Sequence, residues 1–123
     1  MPNISIDYTS NLSQAVKASG LVEALHQAAV ETGEFPLWGI RTLARPVDSY
    51  RVFDGNAHNG FIQIIVRLAP GRDLDKRSRI AKSLFEAAMA ALEPVYASQR
   101  LGCQLEVQEF TTEVTLSKYN LVD

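Results

Sequence analysis

The sequence predicts an α+β two-layer fold: tandem β-α-β units forming a four-stranded sheet with two helices on one face. Three observations predict it. Four stretches near residues 3–8, 38–45, 61–68 and 102–110 are alternating or continuously apolar at strand length. Two longer stretches between them carry apolar residues at helical spacing. The order strand, helix, strand then occurs twice, at about residues 2–46 and 61–110 of one domain spanning 1–123. Parallel crossovers of this kind are right-handed, which sends both helices to the same face.

In the first strand Ile4, Ile6 and Tyr8 alternate with Asn3, Ser5 and Asp7, the period of a strand covered on one side. Residues 9–19 are polar and read as a loop or a short helical turn. From Gly20 the period becomes helical. Val22, Leu25, Ala28 and Ala29 form a stripe, and Gly33 stands where a helix-ending glycine belongs. His26, one step off that stripe, reads as a satisfied or exposed helix histidine. The second strand is expected from Trp38 to Arg45, with Ile40, Thr42 and Ala44 on one face and Gly39, Arg41, Leu43 and Arg45 on the other. Pro46 is expected to end it.

Residues 47–60 read as a connection holding a short extended piece near Tyr50–Phe53. Asp54-Gly55 and Asn59-Gly60 are its turn signals, and His58 is a loop residue. Phe61–Leu68 is the most apolar strand and is expected to be central and covered on both faces. A sharp turn follows at Ala69-Pro70-Gly71-Arg72, and Asp73 suits the N-cap of the second helix. Ile80, Ala81, Leu84, Phe85, Ala88 and Leu92 make its buried stripe. Pro94 is expected to end or kink it, with a short helical piece to about Arg100. Gly102–Phe110 is the fourth strand. The tail, 111–123, is too short to fold alone and is expected to pack on this subunit or a neighbour. The sheet face away from the helices then lacks cover, which predicts an oligomer.

Composition narrows the function classes. The net charge is −2, with no basic excess for nucleic acid and no basic amphipathic helix for a membrane surface. No long apolar run predicts a membrane span, and no charged-then-apolar leader predicts secretion. Cys103 is the one cysteine, so no internal disulfide or cysteine-based zinc site is expected, in keeping with a reducing cytoplasm. His26 and His58 are too few and too far apart to predict a metal cluster.

Candidate chemistry lies elsewhere. Proline follows Met1, so removal of Met1 is expected, leaving Pro2 as a free secondary amine at the start of a strand. A free α-amino group titrates near pH ~8. An apolar setting or a nearby cation lowers that value, which suits a general base at neutral pH. Arg41 lies in the strand returning parallel to the first, and Arg72 precedes a helix whose N–H groups favour anions. A guanidinium fork binds a carboxylate through two parallel hydrogen bonds. Two forks near a weakly basic amine point to a small acid with several carboxylates. Arg45, Arg51 and Arg67 are possible substrate contacts, with a solvated or paired role the plainer one for each. Trp38, Phe35 and Phe61 are possible pocket walls, with core packing the plainer role for each.

The run Gly33-Glu34-Phe35-Pro36-Leu37-Trp38-Gly39-Ile40-Arg41, with Met1-Pro2 before it and Gly71-Arg72 after it, resembles the tautomerase superfamily. Within it, the sequence is similar to the 5-carboxymethyl-2-hydroxymuconate isomerases over nearly its whole length. That resemblance implies a tautomerase-like fold, a homotrimer and no cofactor. It also implies Pro2 as catalytic proton carrier and Arg41 and Arg72 as the residues that bind and polarise the acid substrate. Decarboxylation or hydrolytic dehalogenation of a small acid is the alternative within the superfamily. A non-catalytic binding or oligomerisation module that keeps Met1 is the alternative outside it.

Overall fold

A computed structural model of the chain describes residues 2–121. The sheet runs β2-β1-β3-β4, from strands β1 (Asn3–Thr9), β2 (Arg41–Val47), β3 (Asn59–Leu68) and β4 (Arg100–Glu109). β1 pairs parallel with β2 and antiparallel with β3, and β3 pairs parallel with β4. Each parallel pair is one predicted β-α-β unit, and β1·β3 joins the two.

The first crossover holds two helices rather than one, α1 (Ser13–Ser19) and α2 (Leu21–Glu31), after a 3₁₀ turn at Ser10–Leu12. Gly20 separates them in the left-handed region, at φ +70°. Leu12 and Val16, four residues apart, are both buried, so the polar stretch carries the minimum of a helical stripe. Gly33 closes α2 at φ +69°, as expected of a residue just past a helix end.

The second crossover is α3 (Leu74–Ser98), capped by Asp73, which accepts from the Lys76 N–H at 2.8 Å. Pro94 neither ends nor visibly interrupts it. The carbonyl four residues earlier, at Ala90, loses its donor. Ala90 is exposed and water can satisfy it, while buried Val95 holds the last turn to the core.

Pro46 likewise lies inside β2, paired opposite Tyr8. β2 is an edge strand, where a missing N–H costs no ladder bond. β2 starts at Arg41 instead of Trp38 because Leu37–Gly39 forms a 3₁₀ turn. No strand forms at Tyr50–Phe53. The segment is a turn, with Gly55 N–H donating to the Val52 carbonyl at 3.0 Å and the Asn59 side-chain amide donating to Val52 and Asp54.

The core lies between the sheet and the helices. Ile4 and Ile6 of β1 and Ile62, Ile64, Val66 and Leu68 of β3 meet Leu21, Leu25, Leu84 and Leu92 of the helices, all at 0–1 % exposure. β3 is central, as expected, but covered on one face only. Its other face alternates half-buried Phe61 and Ile65 with exposed Gln63 and Arg67, so its apolar character is one-sided. That outer face is mixed rather than continuously apolar.

Gly60 is where the two layers fit most tightly. A Cβ there would sit 2.7–2.9 Å from three side-chain atoms of Leu12, itself fully buried and unable to swing away. Gly60→Ala should destabilise the fold by about 1–3 kcal/mol, the usual cost of overpacking. Urea unfolding checks this. Adding Leu12→Ala should give a double variant less destabilised than the sum of the two single changes, because the singles share one space.

Candidate functional site

The topology gathers one end of all four strands: the starts of β1 and β2 and the ends of β3 and β4. The N–H of Arg41 donates to the Pro2 carbonyl at 3.3 Å, and Phe110 N–H donates to the Leu68 carbonyl at 2.9 Å. Pro2 is fully buried there. Met1 lies outside the described residues, and with it the expectation that it is removed.

Register decides which side chains share a face at this end. Asn3 pairs with Arg41 on one side and with Arg67 on the other, so the three form a row across adjacent strands. All three lie on the face turned away from the helices, since Ile4, Thr42 and Val66 occupy the facing positions. A cavity of about 120 Å³ opens on the row, lined by Asn3, Arg41, Arg67, Phe110, Thr115, Ser117 and Tyr119.

The tail forms one wall of this cavity, through a residue that sequence reasoning missed. Tyr119 Oη accepts a hydrogen bond from Arg41 at 3.1 Å, and the Arg41 guanidinium lies 5.8 Å from the Tyr119 ring centre. Trp38 packs against the same ring, with centroids 5.2 Å apart. Residues 111–118 are exposed and Tyr119 is half-buried, so the tail docks through this one side chain. The available signal was that Tyr119 is the only aromatic residue of the tail. Of the three possible wall residues, Trp38 alone is placed here. Phe35 is a core residue and Phe61 packs beside Gly102.

Arg72 is placed differently. It donates to the Glu34 carbonyl at 3.1 Å and to the Ala69 carbonyl at 3.5 Å, with the Glu34 carboxylate 3.9 Å from its Nε. Its guanidinium lies over the Phe35 ring at 5.0 Å. These contacts tie the turn before α3 to the segment that leads into Arg41. Neither Pro2 nor Arg72 lines the Arg41 cavity. The structure therefore brings Arg41 beside Pro2 through the backbone, and sets Arg67 rather than Arg72 beside Arg41 in the cavity.

Other titratable groups are accounted for. His26 Nδ1 is 3.0 Å from Thr42 Oγ1, a satisfied helix histidine. The His58 carbonyl accepts from Gln99 in the turn. Arg45 pairs with Asp7 at 3.1 Å, while Arg51 holds the Asp54 carbonyl at 3.2 Å. A larger cleft of about 480 Å³ between α3 and β4 contains Cys103. Burial pushes that thiol up to about 11, so it stays protonated at neutral pH. Among the described residues no helix is long and apolar enough to cross a membrane, and no group of three or more His, Cys, Asp or Glu is placed to hold a metal.

Tyr119 reports on its partners. A hydrogen bond from Ser117 first, and the charge and hydrogen bond of Arg41 after it, hold its phenol below the ordinary tyrosine value, against the opposing loss of solvent. Ser117→Ala and Arg41→Ala should each move Tyr119 ionisation to higher pH, Ser117→Ala the further. Tyrosinate absorbance of each variant, minus that of its Tyr119→Phe counterpart, reads the shift. Unchanged curves would contradict the contact.

The chain is similar to known proteins over nearly its whole length. The family model for 5-carboxymethyl-2-hydroxymuconate isomerase matches residues 2–123. The 5-carboxymethyl-2-hydroxymuconate Delta-isomerase of Escherichia coli is 24% identical over 121 residues, covering 98% of this chain and 96% of that one. A crystal structure of a 5-carboxymethyl-2-hydroxymuconate delta-isomerase, 27% identical, superposes with a TM-score of 0.87 over 98% of this chain and 90% of its own. A symmetric trimer of fused 4-OT wild type has a TM-score of 0.71 at 14% identity, covering 94% of this chain and 93% of that one, a likeness of fold. The chain belongs to the 5-carboxymethyl-2-hydroxymuconate isomerase family.

Proposed function

We propose that the protein is a cofactor-independent isomerase of an unsaturated 2-hydroxy- or 2-oxo-di- or tricarboxylate of the 5-carboxymethyl-2-hydroxymuconate type. Pro2, freed by removal of Met1, is the proton carrier. The observation that carries this reading is the 3.3 Å hydrogen bond from Arg41 N–H to the Pro2 carbonyl, which fixes the candidate base beside the strand that bears the candidate anion holder. Family membership supports the reaction class. Burial of Pro2 supports the base, because a low-dielectric setting disfavours the charged amine.

In the proposed reaction the Pro2 nitrogen takes the proton of the 2-hydroxyl. The O–H electron pair becomes the new carbonyl bond, and the conjugated double bonds shift along the chain. The protonated amine then returns its proton to a carbon further along, and no atom is gained or lost. Arg41 holds a carboxylate and steadies negative charge as it grows on oxygen, the kind of stabilisation that commonly dominates catalysis. Arg72 is the second proposed carboxylate holder. Its two carbonyl contacts and the Glu34 carboxylate facing Nε leave two of a guanidinium's five N–H donors for a ligand. It also fixes the segment that delivers Arg41.

We also propose a homotrimer. The trimeric state of the fused 4-OT neighbour supports it, as do exposed Leu43 on the outer sheet face and Val114 and Leu116 in the tail. Light scattering of the purified protein should give three times the chain mass.

The kinetic test follows the ultraviolet absorbance of 2-hydroxymuconate and its 5-carboxymethyl analogue, whose conjugation changes on ketonisation. Pro2→Ala should slow kcat by about a hundredfold or more, the typical share of a positioned acid–base group, with an unchanged unfolding midpoint. Arg41→Ala should lower kcat/KM by about a hundredfold or more. Arg72→Ala should raise KM. Near-normal turnover by Pro2→Ala would remove Pro2 from the mechanism.

A further inference from the structure

Three facts about the Arg41 cavity have no place in that mechanism. Arg67 lines it, exposed, and makes no hydrogen bond or ion pair among the described residues. Arg41 is likewise unpaired with any carboxylate there, bonded only to the Tyr119 hydroxyl and the Gly39 carbonyl. The side-chain oxygen of Asn3, between the two, is buried with no partner. The orphan acceptor is costly, since a buried polar atom without a partner loses its hydration for nothing, whereas the two exposed guanidiniums stay hydrated and uncancelled by any described carboxylate. The flanking polar residues do not relieve this. Gln108, opposite Arg67, donates to Glu106 instead.

We propose that Arg67 is the specificity-determining residue for a second carboxylate, and that the row Arg41–Asn3–Arg67 binds a dicarboxylate lengthwise. The proposal rests on the reading of Arg41 as a carboxylate holder. Neighbouring strands stand about 4.8 Å apart, so Arg41 and Arg67, one strand to either side of Asn3, are separated by roughly 10 Å at the backbone. That spacing suits two carboxylates joined by a short conjugated chain better than two guanidiniums on a single carboxylate. Each guanidinium presents a fork to one acid group. A monocarboxylate of the same length engages Arg41 and gains nothing from Arg67.

Calorimetric titration with two unreactive acids of equal carbon length, muconate (two carboxylates) and sorbate (one), separates these contributions without turnover. The wild type should bind muconate at least tenfold more tightly than sorbate. Arg67→Ala should abolish that preference by weakening muconate alone, Arg67→Lys should restore part of it, and Arg41→Ala should weaken both acids. Asn3→Asp, which sets an internal carboxylate between the guanidiniums, should weaken muconate further than Arg67→Ala does. A wild type without preference, or an Arg67→Ala variant that keeps it, overturns the inference while leaving the isomerase reading to its own kinetic test. If Arg41→Ala weakens neither acid, the reading of Arg41 fails and takes this inference with it.

Discussion

The pairing of β1 with two strands of opposite direction is the constraint from which the site follows. β1 is parallel to β2, so their starts coincide, and antiparallel to β3, so its start meets the end of β3. Pro2, Arg41, and Arg67 with the turn carrying Arg72 come from three separate parts of the sequence. They reach one end of the sheet for that single reason. A slip of one residue in either pairing would turn Arg41 or Arg67 toward Ile4 and the helices. Buried Ile4, Ile6, Ile62, Ile64 and Val66 forbid that slip, so the core sets the position of the charges.

Much of this was legible in the sequence. Period-two alternation located β1, an apolar run located β3, and the helical stripes located α2 and α3. Gly33 and Asp73 marked helix ends whose backbone chemistry admits few other residues. The errors came where neighbours outweigh local preference. Pro94, expected to end or kink its helix, and Pro46, expected to end its strand, both sit where the lost hydrogen bond is cheap, on an exposed helix flank and on a sheet edge. The helix at Ser13–Ser19 is one of two readings open in the sequence, a loop or a short helical turn, because its stripe is only Leu12 and Val16. Cover on both faces of β3 is not found, since its outward residues include exposed Gln63 and Arg67.

The candidate site divides in the same way. Arg41 stood out because an arginine between apolar strand residues needs a partner or a task. Arg67 did not, because its significance lies in the register with Asn3, and a sequence does not print register. The tail was illegible for a related reason. Tyr119 has no periodicity to announce it, and its place depends on an aromatic ring, Trp38, eighty-one positions earlier. A tyrosine hydroxyl is a neutral acceptor for Arg41 and leaves the guanidinium charge in the cavity uncancelled. The tail thus shapes the hollow without competing as an anion.

Everything proposed for catalysis depends on the first ring bearing a neutral, basic nitrogen at physiological pH. Nitrogen-15 resonance of Pro2 in selectively labelled protein, followed across pH, measures this directly. The account predicts a secondary amine that loses its proton below the pH at which an ordinary α-amino group does. A resonance that never titrates, as an amide behind a retained Met1 would give, or one still protonated well above pH ~8, would contradict it.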